Sequence, residues 1–358
     1  MKPGTMTYRS KLHEMAATTP TQYWLDSCSQ TELAYALENG AVGATTNPLI
    51  VQAVLEKELP KYDPVIRELV KAFPHATEDE LAWKMIEHLA VDGARTLLPI
   101  FDPAKGYGRI SIQTNTKFHR STALMVEQAL HFGTLAPNIQ IKLPATSAGI
   151  AAIEEVTYRG FSINATVSFT VAQALSVAEA VERGLARRKS EGLTTAGINP
   201  VCTIMGGRTD DYLKDVAAKK GTVIDPAALD WCGVAVIKRA YGIYQERRFT
   251  TKLLGAAYRN RHHLAQLIGG DMLHTIPYQW QLNYNASDIA IVPTMNDEVP
   301  PALLAALLDK FPEFRQAYEP DGLTIPEFDT YGATLATLRG FYAGYDKLVL
   351  ILRKYLVG

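Results

Sequence analysis

The segment Asn138-Ile139-Gln140-Ile141-Lys142-Leu143-Pro144-Ala145-Thr146 alternates apolar and polar side chains along an extended chain. Its apolar residues fall on one side of a strand, while Gln140 and Lys142 fall on the other. Segments 109–115 and 162–169 repeat this pattern. Helix-length stretches separate the three segments, so we expect parallel strands with helices packed on their apolar side. The polar side must then face inward, into a barrel or a crevice. In the third segment that inward side consists of Ser162, Asn164, Thr166 and Ser168.

Eight segments in all have the length and composition of strands, and helix-like segments lie between them. The predicted strands are 23–26, 43–47, 109–115, 139–145, 162–169, 200–205, 253–259 and 272–278. The predicted helices include 30–39, 121–132, 148–159, 171–183, 226–246 and 261–268. Regular alternation of strands and helices is typical of an α/β fold with a parallel sheet, and eight strands predict a closed (β/α)8 TIM barrel.

Helical additions to the barrel are predicted at two places. The stretch 51–108, after the second strand, is too long for one loop, and helical periodicity at 60–73 and 78–90 predicts a helical insertion there. The region after the last strand is read as extra C-terminal helices, notably 300–310 and 332–355.

We expect a single domain over residues 1–358, with a barrel core at about 20–280 and a helical C-terminal extension at about 281–358. The apolar, aromatic-rich stretch 341–350 could lie over the barrel mouth or pack in a homodimer. The sequence does not choose between these two arrangements.

Bulk composition indicates an ordinary soluble globular protein. The chain has 358 residues, of which 47% are hydrophobic and 20% charged, and its 36 basic and 37 acidic residues give a net charge of −1. Nothing here predicts a nucleic-acid or membrane partner. The N-terminal twenty residues lack the apolar run of a signal peptide. Three cysteines far apart fit a reducing compartment, so we expect a cytoplasmic location.

Polar and charged residues collect where the predicted strands end, which in a (β/α)8 barrel is the active-site face. Taken singly, each has a structural explanation. Asp26 could cap the next helix, Asn47 could serve a turn, and Lys142 could extend its amine out of the strand end. Their joint occurrence on successive strand ends favours a site instead. The set is Asp26, Thr45, Thr46, Asn47, Gln113, Lys142, Asn164, Thr166, Thr203, Arg208 and Arg259.

Lys142 has the most specific chemistry of this set. An amine among hydroxyls and amides inside a barrel is costly to keep charged, so we expect its pKa to fall. A neutral interior amine is what Schiff-base formation needs. Arg208 and Arg259, near the last strands, match a corner in which guanidinium groups pair with phosphoryl oxygens.

Several sequence blocks resemble, in the same order, those of the transaldolase family of class I Schiff-base aldolases. They run over roughly residues 20 to 280, so the resemblance covers the whole predicted barrel. The blocks are Trp24-Leu25-Asp26-Ser27, Ala44-Thr45-Thr46-Asn47-Pro48-Leu49, Gly108-Arg109-Ile110-Ser111, Ile141-Lys142-Leu143-Pro144-Ala145-Thr146, Gly160-Phe161-Ser162-Ile163-Asn164-Ala165-Thr166, Gly207-Arg208 and Leu254-Gly255-Ala256-Ala257-Tyr258-Arg259-Asn260.

The resemblance implies catalytic roles for four residues. Lys142 would be the Schiff-base nucleophile, and Asp26 would take the proton from the hydroxyl beyond the breaking carbon–carbon bond. Thr166 and Gln113 would hold the catalytic water. An iminium at Lys142 is an electron sink, so this chemistry requires no metal or other cofactor.

The resemblance also implies substrate-binding roles. Asn47 and Asn164 would hold hydroxyls of a dihydroxyacetone unit, and Arg208 and Arg259 would bind the phosphate of the substrate. Family members cleave a ketose phosphate, such as fructose or sedoheptulose phosphate, and hand the three-carbon end to an aldose phosphate. Sugar phosphates are therefore the predicted small-molecule partners. The other residues assigned to substrate binding are Thr45, Thr46, Thr203 and Met205.

Three positions depart from the family pattern. Gln113 replaces the usual glutamate beside the catalytic water, and an amide can orient water but cannot accept its proton at neutral pH. Met205 replaces an aromatic residue three positions before the first phosphate-binding arginine. Ala257 replaces a serine that normally helps to bind phosphate. Short-chain relatives that act as fructose 6-phosphate aldolases also carry glutamine at the position of Gln113.

These departures leave three alternatives to transfer between sugar phosphates. The enzyme could cleave the ketose and release dihydroxyacetone, or it could act on a sugar with a different terminal anion. A protein of another class, a catalytically silent barrel that binds sugar phosphates, is also conceivable. Retention of Lys142, Asp26, Asn47, Asn164 and Thr166 together argues against the silent barrel.

Overall fold

Eight parallel strands close into a barrel in the computed structural model, which describes residues 7–357. Each strand pairs with its neighbours in chain order, and the last pairs with the first. The predicted TIM barrel is confirmed, although every predicted strand runs one to four residues beyond the observed carboxyl end, where the chain turns toward the next helix. The strands are β1 (Gln22–Leu25), β2 (Gly43–Thr45), β3 (Arg109–Gln113), β4 (Ile139–Pro144), β5 (Ile163–Ser168), β6 (Val201–Ile204), β7 (Lys252–Gly255) and β8 (Leu273–Ile276).

Helices surround the barrel, and many begin at a serine, threonine or asparagine whose side-chain oxygen accepts a backbone N–H of the first turn. Short 3₁₀ helices occupy Leu98–Ile100, Thr116–Phe118 and Ile325–Asp329. The α-helices are α1 (Lys11–Thr18), α2 (Gln30–Glu38), α3 (Pro48–Ala72), α4 (Glu78–Leu97), α5 (Thr122–Phe132), α6 (Ser147–Tyr158), α7 (Val171–Ser190), α8 (Gly206–Lys220), α9 (Pro226–Leu229), α10 (Cys232–Arg247), α11 (His262–Ala265), α12 (Tyr278–Asn285), α13 (Pro301–Lys310), α14 (Pro312–Tyr318) and α15 (Gly332–Leu356).

The helical insertion predicted after the second strand is confirmed as α3 and α4. The first of these helices begins much earlier than predicted, at Pro48 rather than at residue 60. Pro60 lies inside α3, and the helix bends at Glu58, where φ is −117° and ψ is 23°. A proline removes one helical hydrogen bond and clashes with the preceding turn, so the chain bends there and then continues as helix.

Two predicted helices differ from the observed ones. The stretch 226–246 is broken between α9 and α10, where Asn260 Nδ2 donates to the Asp230 carbonyl (3.1 Å) and the Gly233 N–H donates to Asp210 (2.8 Å). Contacts with distant residues therefore satisfy the backbone groups at this break. The predicted helix 261–268 shortens to the single turn of α11. Helix α8 was not predicted, because its opening Gly206-Gly207 and polar first turn carry no side-chain cap and little apolar periodicity.

The polar side of the strands faces the barrel interior, as expected. Asn164 Nδ2 on β5 donates to Ser111 Oγ on β3 at 3.0 Å, and β4 lies between these two strands. Thr45 on β2 and Thr275 on β8 likewise place their hydroxyl oxygens 2.6 Å apart across β1. Such bonds between non-adjacent strands can form only through the interior.

Ser168 corrects the expectation for β5. Val167 has φ of +53°, a conformation that β-branched residues rarely adopt, and the register with β6 shifts between Ala165 and Ser168. Ser168 then lies beside Cys202, which belongs to the apolar layer between strands and helices. The alternation used for the prediction assumes a regular strand, and the irregularity turns Ser168 away from the inward-facing side.

The predicted C-terminal helices are present. The stretch 341–350 belongs to α15, and the contacts of that helix show where the stretch packs in the fold. Phe341 on α15 reaches the cavity at the carboxyl ends of the strands. Gly344 lies so close to Leu49, at the start of α3, that a side chain there would overlap it. Part of the aromatic-rich stretch therefore lies over the barrel mouth. The division into barrel core and extension of one domain stays a prediction, as does a homodimer.

Across residues 7–357, none of the helices combines the length and the apolar character needed to cross a membrane. Cys28, Cys202 and Cys232 are buried and unpaired. The prediction about the N-terminal twenty residues falls partly on residues 1–6, which lie outside the described residues.

Candidate active site

A cavity of about 140 Å³ opens at the carboxyl ends of the strands. It contains eight of the residues selected from the sequence, contributed by strand ends, by the loops that follow and by the first turn of α8. These are Asp26, Asn47, Lys142, Thr166, Thr203, Met205, Arg208 and Arg259. Four others do not reach the wall formed by the described residues, although all are buried beside it in the barrel. They are Thr45, Thr46, Gln113 and Asn164.

Lys142 lies on β4 between Gln113 on β3 and Asn164 on β5 in the strand register. Only 4% of the residue is exposed. Burial lowers the pKa of its ammonium below the ordinary value, and attraction to the Asp26 carboxylate opposes part of that shift. The amine is therefore easier to deprotonate than a surface lysine, which is the property that a nucleophilic amine requires.

Asp26 follows β1 and faces the same cavity. Thr45 Oγ1 donates to its Oδ1 at 2.7 Å. Helix α2 is capped by Ser29, not by Asp26, so the helix-cap explanation for this carboxylate is wrong. Burial raises the pKa of Asp26 above its ordinary value, while Lys142, the Thr45 hydroxyl and Arg208 oppose the shift. The carboxylate is thus poised to exchange a proton beside the amine.

The two asparagines are held in different ways. Asn47 caps α3, since its Oδ1 accepts the Ile50 N–H at 2.9 Å. Its amide N–H groups are the donors that it can direct to a ligand in the cavity. Asn164 is fixed across the barrel, because its Oδ1 accepts the Thr203 hydroxyl at 2.7 Å and its Nδ2 donates to Ser111. The second N–H of Nδ2 is the donor that Asn164 retains.

Gln113 is the neighbour of Lys142 in the strand register, while Thr166 and Met205 line the cavity with the lysine. Gln113 Nε2 donates weakly to Thr116 Oγ1 at 3.4 Å, while its Oε1 is buried and finds no partner among the described residues. Thr166 Oγ1 lies 3.8 Å from Met205 Sδ, a weak acceptor. Buried carbonyl oxygens are usually hydrogen-bonded, so Gln113 Oε1 is a ready acceptor for a small donor such as water.

The two arginines meet at one end of the cavity. Burial lowers the pKa of Arg208, with Arg259 adding to the shift and Asp211 and Asp26 opposing it. Arg259 forms a bidentate pair with Asp211, with Nη2 at 2.7 Å and Nε at 3.0 Å from its carboxylate oxygens. Asp211 offsets the charge of Arg259, but the Arg208 guanidinium has no hydrogen-bonding or ion-pair partner among the described residues, so this corner is suited to an anionic ligand.

Sequence reasoning missed several residues of this site. Thr275 bonds Thr45, and Tyr258 closes the wall beside Arg259. Phe341 was not missed entirely, because it begins the stretch for which a place over the barrel mouth was one of the two predicted arrangements, and it lines the cavity. Asp211, the partner of Arg259, was also missed. The Asp210-Asp211 pair next to Arg208 was the one available signal, because a carboxylate beside a basic site is a common partner for arginine.

By its fold and its site, the protein is a (β/α)8 barrel with a buried lysine, a carboxylate and two arginines in a cavity at the strand ends. The family model described as transaldolase/fructose-6-phosphate aldolase matches residues 23–307, and the chain belongs to this family.

Curated relatives carry the same family name. Transaldolase 1 of Streptomyces avermitilis is 30% identical over 251 residues, which cover 66% of this chain and 66% of the relative. Transaldolase 2 of the same organism is 29% identical over 284 residues, covering 71% and 75%. The transaldolase of Thiobacillus denitrificans is 29% identical over 236 residues, covering 62% and 64%. The chain thus spans roughly two thirds of the length of these relatives, and it is a divergent member of the family.

Proposed function

We propose that this protein is a transaldolase-type enzyme, which transfers a dihydroxyacetone unit from a ketose phosphate to an aldose phosphate through a Schiff base at Lys142. The observation that carries the proposal is the shared cavity of Lys142, Asp26, Arg208 and Arg259. These residues supply a nucleophile, a proton-transfer group and an anion site around one small space.

Schiff-base formation would begin with attack of the neutral Lys142 amine on the carbonyl carbon of the ketose. Loss of water from the resulting carbinolamine requires a proton on the departing hydroxyl. Asp26, whose raised pKa keeps a proton within reach, is placed to deliver it. Gln113 Oε1 and Thr166 Oγ1 would hold the water molecule that leaves and later returns.

Carbon–carbon cleavage would follow from the positive charge of the iminium. The Asp26 carboxylate takes the proton of the hydroxyl beyond the breaking bond, that oxygen becomes a carbonyl, and the bonding electrons pass to the enamine at Lys142. The aldose phosphate departs, and a second aldose phosphate accepts the enamine by the reverse step. Asn47 and Asn164 would donate amide N–H groups to the hydroxyls of the retained three-carbon unit.

Fructose 6-phosphate with and without erythrose 4-phosphate tests the proposal. With the acceptor we expect sedoheptulose 7-phosphate and glyceraldehyde 3-phosphate, and borohydride should leave a three-carbon adduct on the protein. Release of dihydroxyacetone at the same rate with or without acceptor would instead identify an aldolase. No adduct and no product would favour the silent barrel. A cytoplasmic location and a homodimer stay predictions.

Replacing either Arg208 or Arg259 with alanine should weaken binding of phosphorylated donors. Loss of a hydrogen-bonded charge should raise KM for fructose 6-phosphate roughly 10- to 100-fold, with little effect on dihydroxyacetone. Steady-state kinetics with both donors measures the difference. Arg261→Ala is a matched control, because Arg261 follows in the same loop and, among the described residues, its side chain has one distant, exposed partner, Asp288 at 3.8 Å. Equal losses on both donors would mean that the two arginines are structural.

Gln113→Glu should shift the outcome of the reaction toward transfer. A carboxylate beside the water could carry its proton, and a proton relay contributes roughly 10²–10⁴-fold where it operates. In the wild-type protein the Gln113 amide cannot carry the proton, so Asp26 must transfer more of the protons. We therefore expect slower transfer and more free dihydroxyacetone than in relatives with glutamate at this position. Partition of a labelled ketose between transferred and released three-carbon product measures the ratio. An unchanged or inverted ratio in the variant would contradict this interpretation of Gln113.

A further inference from the structure

Arg208 and Arg259 come from different elements, and several contacts join those elements. Arg208 lies in the first turn of α8, while Arg259 lies in the loop between β7 and α11. The first contact is the bidentate pair of Asp211, on α8, with Arg259. Arg259 Nη1 also donates to the Tyr258 carbonyl at 2.9 Å. Of the five N–H donors of the guanidinium, one on each terminal nitrogen remains for a ligand.

The second contact is a buried histidine and aspartate. The Arg259 backbone N–H donates to His263 Nδ1 at 3.0 Å, and His263 Nε2 lies 2.9 Å from Asp210 Oδ2. Asp210 is fully buried and His263 is 3% exposed. Because Nδ1 accepts a hydrogen bond, the proton of a neutral imidazole lies on Nε2. Nε2 is close to the carboxylate, but it forms no aligned hydrogen bond with the described residues, so the contact with Asp210 is one of close packing. The arginine backbone is thus connected through His263 to the helix that carries Arg208.

Further bonds hold the Asp210 carboxylate itself. Its Oδ1 accepts the Gly233 N–H at 2.8 Å, and its Oδ2 accepts Asn260 Nδ2 at 3.2 Å. A buried carboxylate is costly unless such partners surround it, so its orientation is well defined. Because Asn260 follows Arg259 directly, Asp210 also holds the loop at the residue next to the arginine.

The third contact is between backbones. Ala257 has φ of +64°, in the left-handed region, and its carbonyl approaches Gly207 so closely that a side chain at Gly207 would overlap it. Only glycine fits at that position of α8. The strained turn keeps its conformation because the neighbouring contacts hold it, and it brings the loop against the residue that precedes Arg208.

We propose that Asp210 and His263 form a clamp that positions Arg259 against Arg208, so that both guanidinium groups are assembled for one terminal phosphate before the substrate arrives. The inference rests on the proposed function of the two arginines. Asp210 and His263 are positioning residues, since neither lines the cavity among the described residues. Preorganised groups bind a ligand more tightly because less ordering is needed when it arrives.

Two His263 variants separate the contacts of the clamp. His263→Phe keeps a buried ring but removes both nitrogens, while His263→Asn places an oxygen where Nδ1 accepts the Arg259 N–H and loses contact with Asp210. Trapping by borohydride without acceptor measures half-saturation by fructose 6-phosphate and by dihydroxyacetone. We expect His263→Phe to raise the half-saturating concentration of fructose 6-phosphate by about tenfold and to leave that of dihydroxyacetone near the wild-type value. In His263→Asn, the value for fructose 6-phosphate should return part of the way to that of the wild type.

Inhibition of dihydroxyacetone trapping by inorganic phosphate gives a second measurement, and Asp210→Asn gives a second variant if His263→Phe fails to fold. His263→Phe and Asp210→Asn should each need several times more phosphate than the wild type for the same inhibition. His262→Asn is the matched control, because His262 stacks on Trp231 and leaves the Arg259 N–H untouched. Equal losses for both substrates in the clamp variants would overturn the proposal. If Arg259→Ala also affects fructose 6-phosphate and dihydroxyacetone equally, the proposed phosphate site is wrong as well. If Arg259→Ala weakens only fructose 6-phosphate, the phosphate site stands and the clamp alone is wrong.

Discussion

Lys142→Ala should abolish borohydride-dependent attachment of a ketose and lower turnover at least about 10³-fold, as expected for loss of a covalent nucleophile. Lys142 is the only lysine in the cavity wall formed by the described residues, so no second amine can substitute for it. Intact-mass spectrometry after reduction with fructose 6-phosphate detects the adduct, and a coupled assay measures transfer.

Lys105→Ala is the control for this experiment. Lys105 is exposed in the loop before β3, at the opposite end of the barrel, and pairs with Asp102 at 3.4 Å. Its removal should leave both the adduct and the transfer rate unchanged. A Lys142→Ala protein that still gains a three-carbon adduct would show that another residue is the nucleophile.

Asp26→Asn should slow carbon–carbon cleavage roughly 10²–10⁴-fold while some Schiff base still forms, because an amide cannot take the proton from the substrate hydroxyl. Trapping with dihydroxyacetone, which requires no cleavage, should become slower but persist, whereas turnover of fructose 6-phosphate should nearly stop. Comparison of the two donors separates cleavage from Schiff-base formation. Wild-type turnover by the variant would remove Asp26 from the mechanism.

The same substitution has an expected effect on stability. Because burial raises the folded-state pKa of Asp26, folding favours the protonated carboxyl. That contribution is complete below the pKa of the unfolded chain, about 3.9, and is lost as pH rises through the folded value. Asp26→Asn imitates the neutral form, so it should be at least as stable as the wild type at pH 7. Denaturant unfolding at several pH values should show the difference shrinking toward about pH 4. A less stable variant at pH 7 would contradict this sign.

The barrel was predictable because its signal is local. In a strand that alternates apolar and polar residues, the apolar side indicates where helices pack. Eight such segments separated by helices are compatible with few folds. Irregular places in the chain leave no such local signal. Val167 interrupts the alternation of β5 and turns Ser168 outward, and Pro60 bends α3 without ending it. Neither outcome follows from periodicity, because packing against neighbouring elements overrides the local preference.

The candidate site was partly predictable for the same reason. Residues at the ends of parallel strands share one face of the barrel, so Asp26, Lys142 and Thr166 could be grouped without coordinates. Whether each reaches the cavity could not be read from the chain. Gln113 and Asn164 lie beside the cavity rather than in its wall, since the direction of a side chain depends on the twist and register of the whole barrel.

Local chemistry along the chain is thus sufficient to place a lysine in a polar barrel interior, with a carboxylate and two arginines at the same end. The partners of those groups required the folded molecule. Asp211 meets Arg259 from 48 residues away, His263 reaches Asp210 across the gap between two helices, and Phe341 comes from the C-terminal helix. Contacts between distant segments leave no periodic trace in the sequence, because they depend on how complete elements pack. Those contacts orient the charges whose presence the strand pattern predicts.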